Sequence, residues 1–240
     1  MVIRDPKHVE RILASDKATT NFQRAEMYDK VFGVSRVALQ SYKSLGIESE
    51  QTRQINYAHF DLPQKYLTGT SLASLADIYI SAFRRNMSNK MFQQDSWTQI
   101  EDLWSFFEIE ITRAANETLF GSALMKHYPK ITQDFWKLDS NIEHFLPGLP
   151  RLTVSGVYEL RDKVLEGLKK WLQATHGGTD FAKFEKDDSE WDESRGSKYF
   201  QERDAVFSGM PSHDYQSRAA EALSTMQRYE LQFKVRNSTY

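Results

Sequence analysis

The chain has 240 residues, 40% of them hydrophobic and 13% aromatic, which is enough apolar material to close a core of ordinary domain size. Thirty-one basic and thirty-three acidic side chains give a formal net charge of -2, so no bulk charge attracts nucleic acid or an anionic membrane. The absence of cysteine excludes disulfides, thiolate metal sites and cysteine nucleophiles.

The first residues, MVIRDPKHVERIL, lack the apolar stretch of a signal peptide, and no run approaches the roughly 18 apolar residues of a membrane span. We therefore expect a cytoplasmic chain without a membrane anchor. Asp5 and Pro6 predict the start of a short helix over residues 5–14. Residues 15–54 show no sustained period, which predicts a long loop with short helical turns.

Two helices are predicted next. The stretch YAHFDLPQKYL indicates helix on both sides of Pro63, and SLASLADIYISAF carries an apolar face at helical spacing, formed by Leu72, Leu75, Tyr79 and Phe83. The strongest amphipathic pattern covers residues 97–120, where apolar side chains recur every three or four positions: Trp97, Ile100, Trp104, Phe107, Ile111, Ala115 and Leu119. We expect this stripe to be buried, with Trp104→Ala costing about 3–5 kcal/mol.

The second half of the chain continues with helical patterns. A helix at 129–146 is entered through Pro129, and the next has one apolar stripe, Val157, Leu160, Val164, Leu168 and Trp171, that ends before Gly177. The acidic residues 185–193 predict a solvated linker. Weaker helices are predicted at 197–207 and 213–230, and no clear strand pair is found. The pattern as a whole predicts a mainly α fold with little or no sheet.

No catalytic or metal-binding pattern emerges from the residues. The six histidines form no zinc-binding pair, and phosphate-loop, dinucleotide-binding and serine-hydrolase motifs are missing. Aromatic residues at helical spacing are more typical of a core than of a cofactor cavity. We therefore predict no catalytic residue and no metal site.

The order of the segments resembles the front half of a cytochrome P-450. The segments are DPKHVERIL, YAHFDLPQKYL, SLASLADIYISAF, DLWSFFEIEITRAANETLFG, ITQDFWKLDSNIEHFLPGLP and RDKVLEGLKKWL. The phrases that carry the likeness are Leu119-Phe120-Gly121, Phe135–Asp139, and GLP followed by an Arg-Asp-Lys helix. The likeness covers 3–225, with a divergent tail at 226–240, and is closest to sterol 7-hydroxylases, prostacyclin synthase and fungal relatives.

The resemblance implies one partial domain over 1–240, a truncated fold with the helices lettered B to H and the start of the central helix. Complete relatives use heme and an NADPH-dependent reductase to oxidise a hydrophobic small molecule, in fungi often in secondary metabolism, and many are anchored to the endoplasmic reticulum. The acid–alcohol pair, the ExxR helix and the cysteine loop of the family are not found in their expected places. We therefore expect this chain to hold heme poorly and to be inactive alone.

The resemblance also suggests site residues. His59 and Lys65 are the positional stand-ins for the heme-propionate contacts of the family. The segments at 28–45 and 145–155 would border the substrate pocket, with Phe32, Val34, Phe145, Leu149 and Leu152 as lining residues; ordinary surface connections are the equal alternative. A stand-alone helical interaction or regulatory module without catalysis is the alternative function.

Overall fold

The computed structural model describes Lys7 and residues 21–44, 49–87, 97, 99–145, 154–177 and 190–237. These residues form mainly helices: α1 (Asn21–Glu26), α2 (Arg36–Lys43), α3 (Glu50–Asn56), α4 (Leu62–Tyr66), α5 (Gly69–Met87), α6 (Leu103–Phe120), α7 (Ser122–His127), α8 (Ile131–Asp139), α9 (Ser155–His176), α10 (Lys198–Ser208) and α11 (Tyr215–Asn237). Two π-helical turns, π1 (Met27–Phe32) and π2 (Tyr57–Asp61), and a 3-10 turn (Ile142–Phe145) join them. The mainly α prediction is confirmed.

The predicted long loop at 15–54 is wrong for the residues described. The region contains α1, π1, α2 and α3, because its aromatic side chains are core residues, with Tyr28 and Tyr42 almost fully buried. Serine caps begin two of these helices: the Ser35 side chain accepts a hydrogen bond from the Ala38 N–H, and Ser49 accepts one from the Thr52 N–H. The predicted helix at 5–14 lies almost entirely outside the described residues.

The segment around Pro63 is helical on both sides, as predicted. Proline lacks the N–H that an α-helix needs, and its ring crowds the preceding turn. Here π2 directly precedes α4, and the Leu62 N–H bonds to the Tyr57 carbonyl five residues earlier. This wider turn changes the hydrogen-bond register just before the proline. The helical path therefore continues from α3 through π2 into α4.

The burial prediction for the stripe at 97–120 is wrong over its first half, whereas Leu119 near its end is buried. Helix α6 begins only at Leu103, where the Asp102 carboxylate accepts a hydrogen bond from the Ser105 N–H at 3.0 Å. Trp97 precedes the helix and is fully exposed, and the Trp104 side chain is 67% exposed. Burial in α6 starts at Glu110 and includes Ala114 and other residues beside the predicted stripe. The amphipathic pattern thus extends into turns that no described element covers.

The core is built around α9 and α11. In α9 the predicted stripe is buried at Val164, Leu168 and Trp171. In α11 all residues from 217 to 227 are buried, so this part of the helix lies inside the fold. Gly167 permits close packing at one point, because a Cβ there would lie 2.3 Å from Cδ1 of Tyr128.

A short hairpin corrects the prediction that no strands pair. The strands β1 (Trp191–Asp192) and β2 (Gly196–Ser197) are antiparallel, so the end of the acidic segment is structured. Gly196 has φ +78, and a Cβ there would lie 2.2 Å from the Leu119 carbonyl oxygen, so the turn requires glycine. The hairpin therefore packs directly against the end of α6. Among the described helices, none is long and apolar enough to cross a bilayer.

Candidate functional site

A set of buried charges lies around Glu221 on α11. The Arg203 guanidinium, from α10, donates to the Glu221 carboxylate and to the Ala58 carbonyl at 2.5 Å. His59 Nε2, from π2, lies 3.1 Å from Glu221 Oε2. All three side chains are almost completely excluded from solvent. We call these residues, together with Tyr28, Tyr42, His213 and Ser224, the Glu221 cluster.

Two tyrosines complete the shell of this carboxylate. The Tyr28 hydroxyl lies 3.2 Å from Glu221 Oε2 and 3.0 Å from His59 Nε2, while the Tyr42 hydroxyl donates to Glu221 Oε1. Their rings stack with centroids 4.1 Å apart. His213 Nε2 lies 3.1 Å from the Tyr42 hydroxyl. The cluster therefore ties π1, α2 and π2 to the C-terminal helices α10 and α11.

The environment fixes the protonation states of several members. Burial opposes ionisation of Glu221, but the charges of His59 and Arg203 outweigh it and hold the pKa of the carboxyl well below its usual range. Burial and the nearby Glu221 charge raise the pKa of Tyr42 well above 10, so Tyr42 stays a hydrogen-bond donor. Burial also lowers the pKa of His213, although Glu221 and Asp214 oppose this, so His213 is neutral at pH 7.

The chemistry of the Glu221 cluster favours structure over catalysis. A general acid or base works best with a pKa near the operating pH and within reach of a substrate. Glu221 instead has a strongly lowered pKa, and its two oxygens are occupied by Arg203, His59 and the tyrosines. A buried charge that is paired and hydrogen-bonded in this way fixes how helices pack.

Two smaller polar groups flank this cluster. Asp204 accepts two hydrogen bonds from Arg218, at 2.8 and 2.6 Å, and lies 2.8 Å from His176 Nδ1, which joins α9, α10 and α11. Glu202 accepts hydrogen bonds from Tyr57 at 2.6 Å and Lys65 at 2.7 Å. No group of three or more acidic or histidine side chains suited to a metal ion occurs in the described part of the chain.

The structure separates the two residues proposed for the heme propionates. His59 is buried in the Glu221 cluster, whereas Lys65 is half exposed and bonded to Glu202. Both are already engaged by carboxylates within the fold. Their role toward heme stays a prediction.

The residues proposed to line a substrate pocket lie partly together. The 3-10 turn containing Phe145 packs against π1, which contains Phe32, and both side chains are buried in the core. Val34 belongs to the same hydrophobic core and also borders a surface cleft with Arg161. Leu149 and Leu152 lie outside the described residues. The pocket itself therefore stays a prediction.

Two curated fungal proteins are similar to this chain. A cytochrome P-450 monooxygenase named efuG, from Hormonema carpetanum, is 26% identical over 228 residues, which are 94% of this chain and 39% of that protein. A second, fsoE from Humicola fuscoatra, is 29% identical over 165 residues, which are 67% of this chain and 28% of that protein. These relatives support the cytochrome P-450 family.

The chain spans about two fifths of the first cytochrome P-450 relative and less than a third of the second. No family model matches the sequence. No solved structure matches it either.

The donor atoms of this chain do not fit the heme centre of a cytochrome P-450. That centre needs a cysteine thiolate on the iron, and the 240 residues contain no cysteine. His59, the histidine proposed near the cofactor, directs Nε2 at the Glu221 carboxylate and the Tyr28 hydroxyl. No step of oxygen chemistry can therefore be assigned to the residues described.

Proposed function

We propose that this chain corresponds to a helical portion of a cytochrome P-450-type monooxygenase that oxidises a hydrophobic small molecule. The observation that carries this proposal is the similarity to efuG along 94% of the chain. The helical fold agrees with it, since α5, α6, α8 and α9 cover the segments that resemble the family. We also propose that the chain is closest to the subgroup that includes sterol 7-hydroxylases, prostacyclin synthase and fungal relatives.

The proposed role of this portion is to pack and position helices. The hydrophobic core connects residues from Ala25 to Met226, and the Glu221 cluster holds the first helices against the last two. The iron ligand and the electronic chemistry would belong to other residues, because this chain has no thiolate. We propose that the 240 residues alone are not catalytically competent.

Heme binding tests this proposal. Purified chain is titrated with hemin, reduced and exposed to carbon monoxide, and the Soret band of the complex is recorded. We expect no thiolate-type band, because no cysteine sulfur can ligate the iron. His59→Ala is compared with the matched variant His127→Ala, since His127 is exposed. Weak imidazole-type binding that disappears only in His59→Ala would support the predicted position of His59 near the cofactor.

Two results would contradict this proposal. A stoichiometric thiolate-type spectrum would show that the ligand assignment is wrong. Oxygenation of a substrate by the isolated chain with NADPH and a reductase would show that the chain is competent alone.

The alternative function is a helical interaction module without catalysis. One observation favours it: apolar side chains at the start of α6, Leu103, Trp104 and Phe107, are exposed. A chain that binds no heme in any form, while forming a stable complex through this part of α6, would support the alternative.

A further inference from the structure

A polar cleft of about 330 Å³ lies between the π1–α2 connection and the first turns of α9. Its volume is at the lower end of the range for small-molecule sites, about 300–1,000 Å³. The side chains that line it include three cations and one carboxylate: Asp29, Lys30, Val34, Arg36, Tyr158 and Arg161. The cleft therefore has room for a small ligand and a cationic wall.

Arg161 is a fixed part of this wall. Its side chain is only 7% exposed. Nη1 donates to the Lys30 carbonyl at 2.6 Å, while Nε and Nη2 donate to Asp162 at 3.0 and 2.7 Å. The guanidinium carbon also lies over the Tyr158 ring, 5.0 Å from its centroid. Each terminal nitrogen carries two N–H donors, in a planar group whose orientation these contacts set.

Gly33 allows the backbone to approach this guanidinium. Its φ is +69, a conformation that side chains rarely adopt, and a Cβ there would lie 3.1 Å from Cζ of Arg161. The Gly33 carbonyl also accepts a hydrogen bond from Gln216 of α11 at 3.1 Å. The cleft is thus anchored to α11 rather than formed by a surface loop alone.

The cations differ in how far they are neutralised. Lys30 pairs with Glu26 at 2.5 Å, and Arg161 pairs with Asp162. Arg36, at the exposed edge of the cleft, forms no ion pair within the part of the chain that the structure describes. Asp29 supplies one carboxylate of the lining, and Glu26 and Asp162 pair with two of the cations, so the formal charges around the cleft sum to zero. Arg36 is therefore the cation whose charge an anionic ligand would neutralise, with Arg161 as a further N–H donor.

We propose that this cleft binds the carboxylate of a small organic acid, with Arg36 and Arg161 as the donors. Arginine presents a planar pair of N–H groups that matches the two oxygens of a carboxylate, and a charged hydrogen bond of this kind is stronger than a neutral one. The ring of Tyr158 and the side chain of Val34 offer apolar wall beside it. The proposal rests on this geometry and not on the family assignment.

The test uses sodium benzoate as the probe and benzamide as a neutral compound of the same shape. Backbone amide shifts of 29–36 and 158–161 are followed by NMR during each titration. We expect benzoate to shift these amides and benzamide to do so much more weakly. Arg36→Gln should weaken benzoate binding about tenfold through the loss of one charged hydrogen-bonding group. Lys43→Gln, an exposed change at the other end of α2, should bind as the parent does.

Three results would overturn the proposal. Benzoate could leave these amides unshifted at millimolar concentration, benzamide could bind as tightly as benzoate, or Arg36→Gln could keep the affinity of the parent. Thermal unfolding of each variant shows whether it is folded. Arg36→Lys, which keeps the charge but loses the planar pair, should show an affinity between those of the parent and Arg36→Gln.

Discussion

At the scale of single residues, Glu221 has the most demanding environment in the described structure. It is buried and ionised, and its charge is compensated by Arg203 and His59. Replacing one partner of such a pair leaves the others buried without compensation. The sequence held no sign of this cluster, because its members lie up to 196 positions apart and match no motif.

We predict that Glu221→Gln lowers the free energy of unfolding by about 3–5 kcal/mol, since Arg203 would keep its charge without a carboxylate. Urea unfolding followed by circular dichroism measures this change. Glu166→Gln on α9 is the matched control, because Glu166 is half exposed and its contacts with Lys169 and Lys170 are long, at 3.6 and 3.8 Å. The control should change stability by about 0.5 kcal/mol or less. Equal effects in the two variants would argue against a compensated buried charge.

At the scale of elements, regular periods predicted helices well and burial less well. The patterns of α5 and α9 were read correctly because each has a sustained apolar stripe. The helices between 21 and 56 were missed because they are short and broken by π1 and by turns. The buried face of α11 could not be predicted for another reason. Ser217, Glu221 and Ser224 are polar, yet they are buried because they bond to partners from distant segments.

Helix α6 gives a direct test of burial. We predict that Trp104→Ala changes the free energy of unfolding by about 0.5 kcal/mol or less, since the indole is mostly exposed and donates to Glu108 on the same helix. Phe120→Ala, at the buried end of α6, should cost about 3–5 kcal/mol. Thermal and urea unfolding compare the two variants. A large loss in Trp104→Ala would mean that the indole is covered in solution.

At the scale of the whole molecule, the buried His213 makes stability depend on pH. Burial lowers the pKa of His213 in the fold from its ordinary value of 6.5, although the negative charges of Glu221 and Asp214 act to raise it. The unfolded chain therefore binds a proton more readily than the fold does, and stability contributed by this residue is lost as the pH falls below 6.5.

We predict that the urea concentration at the unfolding midpoint decreases when the pH is lowered from 7.5 to 5.5. The decrease should be smaller in His213→Gln than in the parent. The comparison isolates His213, because the other titrating groups are common to both proteins. Parallel pH profiles would show that His213 does not contribute to the dependence.

The length of chain between the members of the Glu221 cluster has a consequence for synthesis. His59 and Glu221 are 162 positions apart, and a ribosome adds about 5–20 residues per second. His59 therefore emerges about 8–32 s before the carboxylate with which it forms a hydrogen bond, and Tyr28 and Tyr42 emerge earlier still. During that interval the first helices have polar core groups without their partner, and a chaperone that holds nascent chains would protect them from aggregation.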